Sequence, residues 1–378
     1  MNSFTKNGDG FIVPFTTLEF PQGFEVCWAG SHSLPYPFPK GLCFGSLDGK
    51  ILFTDEEGFP LSLPGKGSLA PGEGSASQEA INGVACLGTW VVVTTRQEVN
   101  FWPLPGTDGG HDVGFAFPYG AHDVTTTRSG YFIAPLGRTG IMVEEPPFRP
   151  ETHVTVHCAD KADFYVYRVV SLRSQAGGEV LTCACRLGGV AAGEFYGAKK
   201  KLPMTTATFK GLDVVDICPL DPRADSLAIA VLGRDGTLVL FQDVLRDKKP
   251  LTMKFSSVKG IAYRVLSCRG DVYILTSRGI YVLAKLAGRF LAKELVRGIS
   301  TPVLPLPMEA VDVNLADDRW LLVVMANGVR KFDADLIHQS IPEQIRQDES
   351  QEVQETTLSP QWERFDINQT TKQIAAVA

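Results

Sequence analysis

The feature that most constrains the fold of this chain is an internal repeat of about 45–50 residues. Each repeat contains an apolar run, a polar break, a second apolar run, a tight turn and a third apolar run. The fifth repeat shows this order most clearly, because Asp235-Gly236 lies between two alternating apolar segments. Glycine tolerates positive φ angles, so an Asp-Gly pair at this position predicts a β-hairpin turn.

Six other segments carry a related turn. They are centred near Asp48-Gly49, Arg96-Gln97, Arg138-Thr139, Gly188-Gly189, Arg278-Gly279 and Asn327-Gly328. Successive turns are about 40–50 residues apart, a spacing typical of propeller blades. The seven repeats cover nearly the whole span from Ile12 to Leu336. This regular phase predicts one repeat assembly rather than two or three unrelated domains.

A fourth, more polar strand is expected at the outer edge of most repeats. Candidates begin at Asp112, His153, Thr205 and Leu251. The seventh repeat has no obvious fourth strand, whereas the segment from Phe11 to Phe20 precedes the first repeat and belongs to none. We therefore expect this N-terminal segment to pair beside the strand from Val329 to Phe332. Such pairing would close a ring and remove the unpaired edges of an open stack.

The pattern resembles WD-repeat and related β-propellers over most of the chain, in architecture rather than in signature. No repeat ends in Trp-Asp, and Ala121-His122-Asp123 is the nearest approach to the Gly-His that opens a WD blade. The resemblance implies an all-β, seven-bladed β-propeller of four-stranded antiparallel blades, closed by the N-terminal strand. A pair of stacked β-sandwiches is the alternative, which explains the strands but not the regular phase of the turns.

The composition of the chain changes near its C-terminus. We place the propeller at residues 1–338 and a polar tail at residues 339–378. The first part of the tail is rich in Gln, Glu and Ser, which predicts a disordered linker or a weak helix after Pro342. Trp362, Phe365 and Ile367 follow in a polar setting. Exposed aromatic residues are unfavourable, so we expect this segment to dock on its own propeller or on a protein partner.

Charge and cysteine usage limit the partners and the compartment. The formal net charge of -6 argues against a general nucleic-acid binder. The first residues lack the order of a secretory signal, and no apolar run is long enough for a membrane helix. The 8 cysteines form no C-x-x-C pair and mostly lie in apolar runs. We therefore expect a cytoplasmic protein, monomeric when alone, with no membrane partner.

The sequence contains no established catalytic motif. Neither a G-x-S-x-G elbow nor a P-loop occurs. Cys183 and Cys185 share one strand face without a nearby third ligand, which favours core packing. His153 and His157 would be about 13 Å apart on a strand, too far to bind one zinc ion. We expect neither a metal nor a cofactor.

Three acidic residues are the candidate catalytic groups. Asp123, Asp216 and Asp312 occupy similar places in predicted innermost strands, and each is followed by Val or Ile. In a closed ring they would approach the central axis, together with His122. Propeller enzymes commonly place polar groups there, so an acid/base or cation site is one hypothesis. The alternative is structural, because Asp side chains often cap backbone amides at strand bends.

Three functions remain open. The first is a non-catalytic protein-interaction scaffold or regulatory subunit of an intracellular complex, which binds partners through its loops and its C-terminal tail. The second is a propeller hydrolase or lyase that uses the axial acids. The third is a substrate or regulatory subunit whose C-terminal segment is bound or cleaved by a partner. The Gly/Ser/Pro-rich loop from Pro64 to Ala80 is expected to be exposed and mobile.

Overall fold

The computed structural model describes residues 2–6, 12–35, 37–61, 79–104, 113–146, 153–158, 165–185, 189–197, 201–221, 224–255, 257–268, 270–286, 289–297, 310–316, 319–325, 328–345, 353–357 and 360–373. The chain divides into two compact units, which are considered separately. Unit one comprises residues 1–21, 187–190 and 207–361, and unit two comprises residues 22–186, 191–206 and 362–378. The loop predicted from Pro64 lies almost entirely outside the described residues.

The strands are numbered along the chain. Before the first repeat lie β1 (Asn2–Lys6) and β2 (Ile12–Leu18). Repeats one and two contain β3 (Val26–His32), β4 (Gly41–Ser46), β5 (Ile51–Asp55), β6 (Ile81–Leu87), β7 (Trp90–Thr95), β8 (Glu98–Pro103) and β9 (Val113–Ala116). Repeats three and four contain β10 (Thr125–Thr126), β11 (Phe132–Pro135), β12 (Ile141–Glu144), β13 (His153–Cys158), β14 (Val166–Arg173), β15 (Glu179–Cys185), β16 (Gly189–Phe195) and β17 (Lys201–Thr208).

The second half of the chain continues the same order of elements. Repeats five and six contain β18 (Val214–Pro219), β19 (Ile229–Gly233), β20 (Leu238–Phe241), β21 (Leu251–Phe255), β22 (Ala262–Cys268), β23 (Asp271–Thr276), β24 (Gly279–Leu286) and β25 (Arg289–Arg297). Repeat seven contains β26 (Ala310–Ala316), β27 (Trp320–Met325) and β28 (Gly328–Asp333). The C-terminal segment contains α1 (Ala334–Ile345), β29 (Val353–Thr357) and β30 (Gln361–Gln373).

Each repeat forms an antiparallel meander, so the fold is all-β as predicted. Consecutive strands pair in the order β3-β4-β5, β6-β7-β8-β9 and β22-β23-β24-β25. Fourth strands lie at the four predicted segments, as β9, β13, β17 and β21. The described sheets nevertheless range from three to nine strands, so uniform four-stranded blades stay a prediction.

The predicted pairing of the N-terminal segment with the last repeat is present in unit one. Strand β2 pairs antiparallel with β28, with Phe15 opposite Phe332 and Leu18 opposite Val329. The rings of Phe15 and Phe332 lie 5.4 Å apart, and both side chains are buried. Strand β1 then pairs with the outer side of β2. The closure of a ring and the number of seven blades stay predictions.

The hydrophobic core lies between successive repeats. In unit two, one cluster joins Trp28 of repeat one to Val91 of repeat two, and another joins Phe101 of repeat two to Phe132 of repeat three. In unit one, a cluster likewise joins side chains of repeats five and six, and a further cluster joins those of repeats six and seven. Strands whose two faces are both covered in this way are apolar without alternation, as in the buried run of β7.

The C-terminal segment pairs with strands of its own chain. Helix α1 begins directly after β28, where the Asp333 carboxylate accepts a hydrogen bond from the backbone N–H of Asp335 at 2.9 Å. The predicted boundary between residues 338 and 339 therefore falls inside this helix. Strand β29 pairs with β21 in unit one, and β30 lies between β13 and β17 in unit two.

Candidate functional site

A β-bulge recurs in the innermost strands of the repeats. The register shifts fall between Val26 and Trp28, Ile81 and Gly83, Val166 and Arg168, Val214 and Asp216, Ala262 and Arg264, and Ala310 and Asp312. A bulge changes the direction in which the following side chain points. The bulge therefore precedes two of the three predicted acids, Asp216 and Asp312.

Near the start of the innermost strand, acidic and basic residues alternate from one repeat to the next. Asp123 precedes β10 in repeat three, and Arg168, Asp216, Arg264 and Asp312 follow the bulges of repeats four to seven. The sequence prediction included the three Asp residues but missed the two Arg residues between them. The sequence did contain a signal for the arginines. Asp-Val or Asp-Ile occupies this place in repeats three, five and seven, and Tyr-Arg-Val occupies it in repeats four and six.

Asp123 is held between two neighbouring repeats of unit two. Its buried carboxylate forms an ion pair with the guanidinium of Arg168 in repeat four. On its other side lies Gly83 of repeat two, where an added Cβ would be only 2.8 Å from Asp123 Oδ1. Glycine at position 83 thus leaves the space that this carboxylate occupies. This contact gives Asp123 a structural role.

Asp216 has a different partner in unit one. Its side chain is 3% exposed, and Oδ2 accepts a hydrogen bond from the backbone N–H of Val265 at 2.8 Å. This is the amide-capping contact that the structural alternative expected. Asp312 lies in β26 opposite Val324, and its side chain is outside the described residues. An acidic catalytic site stays a prediction.

His122 lies at the start of repeat three and is half-buried. Its Nε2 atom is 3.1 Å from the hydroxyl of Tyr165, and the two rings are 5.8 Å apart. Burial lowers the pKa of His122 below 6.5, although the negative charge of Asp123 opposes this shift. The imidazole is therefore predominantly neutral at pH 7. Tyr165 also packs edge-on against Tyr119, with ring centroids 6.4 Å apart.

These aromatic residues belong to a cavity of about 650 Å³ in unit two. The described residues that line it include Arg96, Gln97, Tyr119, His122 and Tyr165, and none of these described residues is acidic. The turn between β7 and β8 contributes Arg96 and Gln97, and the segment that leads into β10 contributes Tyr119 and His122.

Gly120 allows the two segments of this cavity to approach closely. Its φ angle is +74°, and an added Cβ would lie 1.9 Å from the carbonyl oxygen of Arg96. Only glycine fits this combination of positive φ and backbone contact. A side chain at position 120 would separate the turn that carries Arg96 from the segment that carries Tyr119.

The cavity lies at what we call the hairpin edge of the blades, where the innermost strand begins and the second strand turns into the third. Large exposed hydrophobic side chains occur at this edge in both units. They are Leu47 and Tyr119 in unit two, and Ile261 and Tyr263 in unit one. The opposite edge also carries exposed aromatic residues, of which Phe59 and Tyr196 follow third strands.

In the sequence, arginine recurs at the matching position of five consecutive repeats, a pattern that the sequence prediction missed. The residues are Arg96, Arg138, Arg186, Arg234 and Arg278. Arg96, Arg138 and Arg278 belong to predicted turn centres, but the prediction did not consider that all three are arginines. Arg96 and Arg138 are exposed and form no ion pair within the described part of unit two. Arg234 pairs with Asp213 at 2.5 Å in unit one.

The other candidate residues lie away from this cavity. Cys183 and Cys185 are buried in β15, and burial raises the pKa of the Cys185 thiol to about 12. His153 and His157 lie in β13 with their side chains outside the described set. Within the described residues, no group of three or more His, Cys, Asp or Glu side chains is placed to bind a metal.

The predicted partner-binding residues of the tail lie in β30. Trp362, Phe365 and Ile367 belong to this strand, which is a neighbour of both β13 and β17. The side chains of these three residues are outside the described set. Binding of a partner through them stays a prediction.

Comparisons with known proteins identify the fold. No family model and no curated protein matches the sequence. Among solved structures, the chain is similar to the crystal structure of the WD40 β-propeller domain of Doa1, with 14% sequence identity and a TM-score of 0.52. The match covers 85% of this chain and 97% of that domain.

The chain therefore has a β-propeller fold of the WD40 type, as the repeat predicted. The low identity shows the fold alone and gives no function. In the part of the chain that the structure describes, no helix has the length and apolar character needed to cross a membrane.

Proposed function

We propose that this protein is a non-catalytic protein-interaction scaffold that binds partner proteins through the hairpin edge of its blades. The observation that carries this proposal is the composition of that edge, which exposes Arg96, Arg138 and Tyr119 in unit two and, separately, Tyr263 in unit one. Arginine and tyrosine are enriched where proteins bind one another, because both combine large contact areas with directional hydrogen bonds. Single exposed residues are common, but the occurrence of Arg96, Tyr119 and Arg138 at the same edge of repeats two and three favours an interface in unit two.

The contacts of the candidate acids also favour a scaffold over a hydrolase or lyase. Asp123 is paired with Arg168, and Asp216 accepts a backbone hydrogen bond, so each has a structural partner. A general acid or base must instead reach a substrate proton at hydrogen-bond distance. We propose that the protein acts as a regulatory subunit of a cytoplasmic complex, monomeric when alone. Trp362 of the tail belongs to a second proposed contact surface.

Quantitative affinity purification of the tagged full chain tests the proposed function. The test variant is Leu47→Ser with Tyr263→Ser, which removes exposed hydrophobic side chains from the hairpin edge. The matched control is Phe59→Ser with Tyr196→Ser, which removes similarly exposed side chains from the opposite edge. We expect the test variant to lose proteins that the wild type and the control retain, by at least about tenfold. Equal retention by all three chains would contradict the proposal.

A further inference from the structure

We propose that the cavity lined by Arg96, Tyr119 and Tyr165 binds an acidic peptide segment of a partner protein. In this complex a side-chain carboxylate of the peptide pairs with Arg96, and a neighbouring apolar side chain packs on Tyr119. The inference rests on the proposed function, because it assigns the class of ligand that one part of the hairpin edge takes.

Arg96 carries the one full charge among the described side chains that line this cavity. Its guanidinium donates only, whereas the carboxamide of Gln97 and the hydroxyl of Tyr119 can each donate or accept. The backbone amides of Gly120 and Ala121 already donate to the carbonyl oxygens of Phe117 and Thr95. A ligand that supplies acceptors therefore fits best. A carboxylate matches the planar fork of arginine with two parallel hydrogen bonds.

Nearby charges leave the lining arginine available to a ligand. The Glu79 carboxylate accepts hydrogen bonds from the Thr95 hydroxyl and the Gln97 backbone N–H, both at 3.0 Å. The Asp123 carboxylate is paired with Arg168. Arg96 forms no ion pair within the described part of unit two.

A second arginine strengthens the positive potential beside the cavity. Arg138 is exposed on the turn that follows β11. Its neighbour Gly137 lies against the two tyrosines, since an added Cβ there would be 2.9 Å from Tyr119 Cβ and 3.0 Å from a Tyr165 ring carbon. Like Arg96, Arg138 forms no ion pair among the described residues of unit two. Arg138 therefore adds a second cation on the turn next to the two tyrosines.

The aromatic residues provide the apolar part of the site. Tyr119 is 45% exposed, so one side of its ring is open to a ligand. Tyr165 is held against it by the edge-on ring contact and is oriented by its contact with His122. Rigid tyrosine rings bury large areas at a low cost in conformational entropy. One lining cation beside two rings suits a carboxylate next to an apolar residue better than a nucleic-acid backbone, which is bound by several lysines and arginines.

Selection from a random dodecapeptide phage library tests this inference with the purified full chain as bait. We expect enriched peptides to contain Asp or Glu next to an aromatic or aliphatic residue. Binding of fluorescein-labelled synthetic copies is then measured by fluorescence anisotropy. Arg96→Glu should weaken this binding at least about tenfold, and Tyr119→Ser should also weaken it. The matched control is Arg246→Glu, because the Arg246 side chain is 86% exposed and lies outside unit two.

Several results would overturn the inference. They are enrichment of basic or uncharged peptides, absence of enrichment, unchanged affinity in Arg96→Glu, and equal weakening by Arg246→Glu. Tighter binding of a phosphoserine copy or of single-stranded RNA, again dependent on Arg96, would assign the site to a phosphate ligand instead. If partners still depend on Leu47 and Tyr263 while the peptide result fails, the proposed function stands without this site. If the peptide result holds and those partners do not depend on Leu47 and Tyr263, the wider interface fails.

Discussion

Asp123 of unit two and Asp216 of unit one occupy matching places in the sequences of their repeats but have different partners. The carboxylate of Asp123 pairs with the guanidinium of Arg168, whereas that of Asp216 accepts a hydrogen bond from the backbone N–H of Val265. Both partners lie in the repeat that follows along the chain, Arg168 at the bulge of repeat four and Val265 one residue beyond the bulge of repeat six. An Asp followed by Val or Ile therefore predicts a buried carboxylate at this place. It does not predict which group of the next repeat the carboxylate will contact.

This difference sets the cost of changing each residue. A carboxylate that depends on one cation becomes an uncompensated buried charge when that cation is removed. A backbone amide that loses its acceptor leaves an unsatisfied polar group, which costs less. Mutations at the two positions therefore separate charge compensation from hydrogen bonding within one fold.

The largest expected effect is that of Arg168→Ala. This change leaves the Asp123 carboxylate buried without its guanidinium partner, so we expect a loss of about 3–5 kcal/mol in the free energy of unfolding. Urea denaturation followed by tryptophan fluorescence measures the change. The double variant Asp123→Ala with Arg168→Ala removes both charges and should cost less than the sum of the single variants. Additive losses would show that the two side chains do not stabilise each other.

Asp216→Ala is expected to have a smaller effect. It removes the acceptor of the Val265 amide, and hydrogen bonds to charged groups contribute about 1.5–3 kcal/mol. Asp216→Asn keeps a carbonyl oxygen at this place, so most of the stability should return in the same denaturation assay. Asp123→Asn should cost more than Asp216→Asn, because it removes the negative charge that pairs with Arg168. Equal losses for the two Asn variants would contradict the distinction between the two positions.

The repeat and its turns were predictable because they depend on local chemistry. Asp48-Gly49 and Asp235-Gly236 indicated hairpins, and both glycines have positive φ angles between paired strands. The pairing of β2 with β28 followed from a leftover strand at one end and a missing strand at the other. Such arguments need only the order of elements and the avoidance of open edges.

The partners of the acids were not predictable to the same degree. Which side chain meets Asp123 depends on how two separate repeats pack together, and the bulge in β14 also changes the direction of the Arg168 side chain. Strand β30 was also not identified as a strand, because its sequence is largely polar and lacks alternation. A strand that adds to a sheet edge is held by backbone hydrogen bonds, which leave little trace in side-chain pattern.

The third prediction concerns the space that Asp123 requires. An alanine Cβ at Gly83 would lie 2.8 Å from Asp123 Oδ1, 2.9 Å from the Val124 nitrogen and 3.0 Å from the Thr94 hydroxyl. We expect Gly83→Ala to cost about 1–3 kcal/mol through overpacking. Gly178→Ala is the control in the same assay, since its Cβ would meet only the Ser174 hydroxyl, at 3.4 Å. Similar losses in both variants would mean that contact with Asp123 does not set the cost.

The smallest expected effect is a pH dependence from His122. Burial lowers the pKa of this imidazole in the folded protein, while the unfolded chain binds its proton near the ordinary value of 6.5. As the pH falls below 6.5, the unfolded state therefore takes up more protons than the folded state, and stability decreases. His122→Gln removes this titration and retains a side chain that can bond to the Tyr165 hydroxyl. Val215 holds the matching place in unit one and cannot titrate, so the effect belongs to unit two. Urea midpoints measured from pH 7.5 to 5.0 should fall less in the variant than in the wild type, and parallel curves would assign the pH dependence to other groups.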